Sequence, residues 1–290
     1  MKWQGDRRST NVRMSGGKAA GGGIFGIIIG LVLWLVFGVN PMTAFQTGQS
    51  VTAGSSSSST QPVNDDSRDT QFVETILANT EDVWEQIFKD LGGTYKKPTL
   101  VLFNGRTNSA CGSATSATGP FYCPGDQQLY LDTSFFAEMR NSLGISGDQQ
   151  ESANPENQDK AGDFAQAYVI AHEVGHHVQT LLGISQKVNE ARRQLNETQA
   201  NQLSVRQELQ ADCFAGVWAN YNQQRVDFLE PGDIDEALHA ASQIGDDRLT
   251  RGTVSPDNFT HGTSQQRVNW FTRGLNSGNI NSCDTFSGSI

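Results

Sequence analysis

The sequence predicts an α+β fold that is mainly helical, contains a small sheet and is preceded by one transmembrane helix. Long stretches carry apolar residues at the three-to-four-residue spacing of amphipathic helices, whereas residues 99–103 and 128–132 have the composition and alternation of strands. The third observation is an unbroken apolar run at residues 19–39. Of the 290 residues, 36% are hydrophobic, which is enough to form the core of a folded domain.

The apolar run at residues 19–39 has no charged side chain and, at about 1.5 Å per helical residue, is just long enough to cross a bilayer core. We interpret it as an uncleaved anchor and not as a signal peptide, because it is longer than the usual apolar core of such a peptide. Every basic residue of the first 40 precedes the run. The positive-inside rule therefore predicts a cytoplasmic N-terminus and an extracytoplasmic, periplasmic C-terminal domain.

Composition divides the chain into four regions. They are a basic cytoplasmic leader (1–18), a transmembrane anchor in the cell membrane (19–40), a flexible linker rich in Ser, Thr and Gly (41–67), and a folded domain (68–290). The first 40 residues carry a net charge of +4, so the other 250 carry −14 of the total of −10. This acidic body argues against a nucleic-acid partner, because phosphate binding needs clustered Lys and Arg.

Within the domain, an amphipathic helix is predicted to start at Arg68 and to end where two glycines follow Leu91. The other predicted elements are strands at 99–103 and 128–132, a short helix at 135–143, an irregular loop at 146–162, helices at 163–182, 185–221 (interrupted near 196–201) and 233–245, and a helical run that begins after His261.

Four cysteines suit an oxidising compartment. Cys111 and Cys123 bracket a short loop rich in Gly, Ser and Thr, which favours a local disulfide between them. Cys213 and Cys283 then form the remaining pair, and a buried free thiol at Cys213 is the alternative. A cysteine zinc site is disfavoured because no C-x-x-C spacing occurs.

The motif A-H-E-V-G-H-H at residues 171–177 predicts a metal centre. Residues four apart on a helix share a face, so His172 and His176 can bind one zinc ion. Glu173, one step round, is placed to act as the general base on a zinc-bound water. His177 points about 100° away from its neighbour and is predicted to be structural.

A catalytic zinc usually has a third protein ligand, and Glu208 is the candidate. Asp212 lies four residues further on, where it can accept the free N–H of a histidine ligand and fix its tautomer. An exposed acidic helix face is the alternative for both residues. Glu190 and Glu197 also lie nearby, but their polar surroundings favour solvated side chains.

Hydrolysis also needs a donor that stabilises an oxyanion, and it must come from outside these two helices. His261 is the candidate catalytic residue for this role, because it stands in a loop beside a glycine just before a helical run. A surface histidine is the alternative. Tyr168 and Tyr221 could also donate.

The sequence resembles the bacterial family of neutral zinc metallopeptidases over nearly its full length. The resemblance rests on R-x-S-x-N-V in the leader, the apolar run, CG…GPFYCP, YLD, HEVGHHVQ, ELQADCFAG and HGTSQQR. More distantly the chain is similar to the gluzincins, whose zinc ligands are two helix histidines and a glutamate in E-x-x-x-D. The resemblance implies a zincin-like domain and supports Glu208 as the third ligand. It also implies an edge strand, taken as Leu129 to Asp132, that pairs with an extended peptide.

Two functions are therefore considered. The first is a membrane-anchored zinc peptidase that hydrolyses peptide or protein substrates on the extracytoplasmic side. The second is a non-hydrolytic zinc-binding module for protein recognition or envelope assembly. The first is favoured because Glu173 is present.

Overall fold

The computed structural model describes residues 1–15, 60–62, 66–136, 139 and 162–290. The described chain is mainly helical with a small sheet, which confirms the predicted α+β class. Its helices are α1 (Arg68–Asp90), α2 (Asp163–Leu181), α3 (Ile184–Arg192), α4 (Glu197–Val226), α5 (Asp233–Gln243), α6 (Asp246–Leu249) and α7 (Ser264–Ser277). Its strands are β1 (Val12–Ser15), β2 (Thr60–Pro62), β3 (Thr99–Phe103), β4 (Arg106–Ser109), β5 (Gly112–Thr115), β6 (Phe121–Cys123) and β7 (Gln128–Asp132).

Five strands form one sheet in the order β2-β1-β3-β7-β6, and β4 and β5 form a separate hairpin. The central neighbours β1, β3 and β7 run parallel, whereas β2 and β6 are antiparallel to their partners. Strand β7, taken above as a peptide-binding edge, lies inside the sheet, because β3 and β6 occupy its two sides. That expectation is wrong. Among the described strands β6 is the edge beside β7.

The predicted helices and strands that fall within the described residues are found within a few residues of their predicted ends. The interruption in the long stretch after α2 lies between Arg192 and Glu197, where Asn196 caps α4 by accepting from the backbone N–H of Gln199. Asparagine is a favoured capping residue because its side chain satisfies an N–H that has no partner within the helix.

Helix α4 is the centre of the helical layer, because α2 and α7 pack on it. Both crossings use glycine. A Cβ at Gly175 would lie 3.0 Å from the backbone oxygen of Ala211, and one at Gly274 would lie 1.9 Å from that of Cys213. The missing side chains let three helix backbones approach closely, and this brings polar side chains from all three together.

Residues 1–15 belong to the same folded unit as residues 66–290. Strand β1 pairs with β3, and Trp3 is only 5% exposed in the core, with its ring edge-on to Phe72 at 5.3 Å between centroids. The Trp3 indole N–H donates to Asp163 at 2.8 Å. The predicted boundary at residue 68 separates a cytoplasmic leader from the domain, whereas the structure packs residues 1–15 against that domain.

Both expected disulfides are confirmed: Cys111 pairs with Cys123 and Cys213 pairs with Cys283. The second joins α4 to the C-terminal segment, which excludes the free thiol considered at Cys213.

The predicted anchor and most of the predicted linker lie outside the described residues, as do most of the short helix predicted at 135–143 and the loop at 146–162. Within the part of the chain that the structure describes, no helix is both long enough and apolar enough to cross a membrane.

Replacing Trp3 by alanine should lower the free energy of unfolding by about 3–5 kcal/mol, the usual cost of deleting a buried tryptophan. Leu91→Ala is the control, because Leu91 is 54% exposed and its loss should change this energy by less than about 0.5 kcal/mol. Denaturant unfolding followed by circular dichroism measures both. Equal effects of the two changes would contradict the packing of the leader into the core.

Candidate metal centre

The two histidines of the motif lie on one face of α2, and their ring centroids are 4.8 Å apart. The helical spacing alone brings the two rings together, since residues four apart are neighbours on a helix surface. His172 is 6% exposed, and His176 and Glu173 are half-buried, so the face opens to solvent without being fully exposed.

Helix α4 brings Glu208 to the two histidines. Its Oε2 lies 3.2 Å from Nε2 of His172, and its Oε1 lies 3.3 Å from Nε2 of His176. The close crossing at Gly175 and Ala211 makes this possible, because Ala211 is one turn of α4 beyond Glu208.

The three residues fit a zinc ion. One ligand atom from each lies within 4.8 Å of the other two. Two ligands at the usual zinc distance of about 2.0 Å in a tetrahedron are about 3.3 Å apart, which agrees with the two contacts to Glu208. Two imidazoles and one carboxylate are also the donor set of many catalytic zinc sites.

Contacts behind the ligands orient both imidazoles. Nδ1 of His172 donates to Oδ1 of Asp212 at 2.8 Å, and Nδ1 of His176 donates to Oε1 of Gln179 at 2.9 Å. Each contact directs the Nε2 atom of its histidine toward Glu208. Such hydrogen-bond partners fix the orientation and the tautomer of the ring and raise the basicity of the ligand nitrogen. Asp212 therefore contacts the ring nitrogen of His172 that does not face Glu208.

Asp212 is fully buried and is held by donors from α2 and α7 as well as by His172. Arg267 donates to both carboxylate oxygens, each at 2.9 Å, and the hydroxyl of Tyr168 donates to Oδ1 at 2.6 Å. Arg267 is 2% exposed. A bidentate hydrogen-bonded contact with arginine is among the stronger interactions that a buried carboxylate can make. This use of its hydroxyl makes Tyr168 a poor candidate for an oxyanion donor.

Charges within the group shift the pKa of each member. Burial favours neutral forms, but the charge of Asp212 and the hydrogen bond to it outweigh burial and raise the pKa of His172 to about 10. Burial would likewise raise the pKa of Glu208, yet the two histidines hold it well below its ordinary value. Metal binding therefore competes with a proton on the histidine and finds the carboxylate already ionised.

At Glu173 the effect of burial on the pKa outweighs the effect of the neighbouring charges. Burial raises its pKa above the ordinary value, although the positive charges of His172 and His176 act against this. A carboxylate with a raised pKa is a better proton acceptor near neutral pH. It stands between the two ligands in the sequence, on the same helix.

The structure places His261 in the loop before α7, oriented by Asp246. Nδ1 of His261 lies 3.0 Å from Oδ1 of Asp246, and Oδ2 of the same carboxylate accepts backbone N–H groups of Thr260, His261 and Gly262. A Cβ added at Gly262 would lie 3.3 Å from the side chain of Leu209, so this loop packs against α4 beside Glu208. The imidazole is half-buried.

Several residues of this arrangement were not singled out from the sequence. Gln179 could have been suspected, because it is three residues from His176 on the same helix. The contact of Asp246 with His261 and that of Arg267 with Asp212 carry no local signal, since these residues meet only through the fold. Glu190 and Glu197 are exposed and stand apart from the three ligands.

The family model described as "Putative neutral zinc metallopeptidase" matches residues 1–154 and 155–286. The chain belongs to this family. It is 47% identical to the Escherichia coli K12 "Uncharacterized protein YpfJ" over 306 aligned residues that cover all of both chains. It is 42% identical to the Mycobacterium tuberculosis H37Rv "Uncharacterized protein Rv2575" over 229 residues, which cover 75% of this chain and 72% of that protein. No solved structure matches the chain.

Membership of the zinc metallopeptidase family implies Zn²⁺ as the cofactor and peptides or proteins as the substrate class. The group of His172, His176 and Glu208 could hold that ion.

Asp212→Asn should weaken zinc binding by about 10- to 100-fold, because it removes the charge that orients and strengthens His172 as a ligand. Competition with a chromophoric chelator measures the affinity, and circular dichroism checks that the variant is folded. Glu197→Gln, an exposed change on the same helix, is the matched control and should bind as the wild type does. Equal affinities for all three proteins would refute the role of Asp212.

His177 generates a prediction about pH. Its Nε2–H donates to the carbonyl of Lys96 at 2.6 Å, its Nδ1 accepts from the hydroxyl of Tyr122 in β6, and burial lowers its pKa to about 4. These contacts join α2 to β6. They agree with the structural role that was predicted.

Because the folded pKa of His177 is below its ordinary value of 6.5, the unfolded chain binds this proton more strongly. Its stabilising contribution is thus present above pH 6.5 and is lost as the pH falls toward 4. Between pH 7.5 and 5 the wild type should lose about 2 kcal/mol of unfolding free energy through this group. His177→Gln, which does not titrate, should show a pH dependence smaller by that amount. An identical dependence would contradict the assignment.

Proposed function

We propose that this protein is a membrane-anchored zinc peptidase that hydrolyses peptide bonds on the extracytoplasmic side. One observation carries the proposal: His172, His176 and Glu208 converge from two helices, and Glu173 lies between the histidines on α2. This is the combination of H-E-x-x-H and E-x-x-x-D expected of a gluzincin-like enzyme.

A zinc ion at this site would supply a Lewis acid that polarises the peptide carbonyl and lowers the pKa of a water. The residues of the chain move the protons. Glu173 accepts a proton from the attacking water and then donates it to the leaving amine, so the carboxylate is regenerated in each cycle. Burial raises its pKa above the ordinary value, and this favours acceptance of the proton from water.

His261 is proposed to donate to the developing oxyanion from Nε2. Asp246 supports this role, since it accepts from Nδ1 and thereby sets the orientation of the ring. The backbone N–H groups that Asp246 also binds hold the loop in place.

Strand β6 is the proposed site for an extended substrate. It is one of the two edges of the five-stranded sheet that the structure describes, and it contacts α2 through Tyr122 and His177. An edge strand offers unpaired backbone groups that a peptide can complete. This replaces β7, which is paired on both sides.

Two disulfides support an extracytoplasmic location, because such bonds persist in oxidising compartments. The apolar run at 19–39 supports attachment to the membrane. Location and attachment are part of the proposal.

Glu173→Gln should keep zinc and lower the cleavage rate by about 10²- to 10⁴-fold, because the amide cannot accept the proton. The test uses the full-length protein, unfolded casein and a pool of fluorogenic peptides, with zinc content measured on the same samples. Glu190→Gln is the matched control, since that carboxylate is exposed and accepts a hydrogen bond from the side-chain amide of Gln186. Full activity of Glu173→Gln would refute the mechanism. Zinc binding by the wild type without cleavage of any probe would instead favour the recognition module.

A further inference from the structure

The leader motif R-x-S-x-N-V takes no part in the metal centre, yet the structure uses all of its fixed positions. Arg7, Ser9 and Asn11 donate to one carboxylate, that of Glu81 on α1. Val12, the last position, is 3% exposed and starts β1. The motif is therefore an intramolecular docking element.

The buried carboxylate of Glu81 is stabilised by these three donors. It is 1% exposed, and it accepts from the Ser9 hydroxyl at 2.6 Å, from the Asn11 amide at 2.7 Å and from the Arg7 guanidinium at 3.0 Å. A buried carboxylate without donors is strongly unfavourable. The folded domain thus contains a charged site that the leader completes.

The sheet gives an independent observation. Strand β1 lies between β2 and β3, so it is an interior strand of the described sheet. Without it, the apolar strand β3 (TLVLF) would present an unpaired edge, a recognised hazard for aggregation.

The leader also contacts the start of the metal-binding helix. Asp163, the first residue of α2, is fully buried and accepts from the indole of Trp3 and from the guanidinium of Arg68. Removal of the leader would leave Asp163 with one of these two partners.

The pairing of β1 with β2 fixes where the intervening chain starts and ends. The two strands are antiparallel and Ser15 is opposite Thr60. Neighbouring strands are about 4.8 Å apart. Ser15 and Thr60, the described residues on either side of 16–59, therefore lie next to each other.

Three of the five basic residues that suggested a cytoplasmic leader pair with acidic residues of the body. Lys2 pairs with Asp227, Arg7 pairs with Glu81 and Asp82, and Arg8 pairs with Asp66. Acidic partners in the body account for the charges of these three residues, which therefore do not require a cytoplasmic location.

From these observations we infer that residues 1–15 stay on the same side of any membrane as the metal centre. A single crossing by the intervening segment would separate β1 from β3 and the leader donors from Glu81. The inference is independent of whether the centre hydrolyses peptides. It replaces the arrangement of a cytoplasmic leader and an external domain.

The test compares single cysteine reporters in the full-length chain. Lys2→Cys reports on the leader and Lys89→Cys on the body. Both native side chains are exposed, and the four native cysteines are paired. Intact spheroplasts are treated with a membrane-impermeant maleimide before and after lysis, and total thiol is measured in urea.

Equal labelling of the two reporters, in intact spheroplasts or only after lysis, is the expected result. Labelling of both in intact cells also supports the extracytoplasmic location. Labelling of both only after lysis supports the inference and refutes that location, so the two claims fail separately. Labelling of Lys89→Cys in intact cells with Lys2→Cys protected until lysis would overturn the inference.

A zero-length cross-link gives a second measurement on a chain without new cysteines. The amine of Lys2 lies 3.1 Å from the carboxylate of Asp227, so a carbodiimide should join them by an amide bond. Mass spectrometry of protein from isolated membranes should find the linked peptides. Lys2→Arg is the control, because it keeps the charge and does not couple. Absence of the link in the wild type would count against the inference.

Discussion

The buried carboxylate of Asp212 is the interaction on which the metal centre depends. It joins three helices, since Tyr168 and His172 reach it from α2, Arg267 reaches it from α7, and Asp212 itself stands on α4. Charge is costly to bury, and the cost is offset here because both oxygens have donors and one donor is a cation. If any of the three helices moved, the carboxylate would lose a partner. The network therefore couples helix packing to the direction of the His172 ring.

Glycine makes this network possible. The α2–α4 and α4–α7 crossings are close because Gly175 and Gly274 have no side chain. Shorter distances between helix backbones allow Asp212 and Arg267 to meet while both are buried. The motif H-E-V-G-H-H thus contains ligands and a packing residue in one turn and a half of helix. A catalytic group held in this way is organised before substrate binds, which is where much of the electrostatic benefit of an enzyme arises.

Local patterns in the sequence predicted the parts of the fold that local physics determines. The i, i+4 spacing predicted which faces His172 and Glu208 occupy, and the predicted strands at 99–103 and 128–132 match β3 and β7 to the residue. Sequence patterns did not predict β1, because this four-residue strand contains only two apolar residues, a valine and a methionine. They also did not predict the position of β7 in the sheet, because strand order depends on pairings far apart in the chain. The partners of Arg267 and Asp246 could not be predicted for the same reason.

The second disulfide is connected to the metal centre by a series of hydrogen bonds. The carbonyl of Cys283 accepts from Gln210, whose side chain accepts from Gln179, and Gln179 accepts in turn from Nδ1 of His176. The bond between Cys213 and Cys283 holds the C-terminal segment against α4, so that this carbonyl stays in position. One ligand histidine is therefore oriented through a chain of amides that ends at an oxidised cysteine. Asp212 orients the other histidine by a direct hydrogen bond, so the contacts behind the two ligands differ. Those behind His176 run through side-chain amides to the C-terminal segment, whereas those behind His172 run to Arg267 and Tyr168.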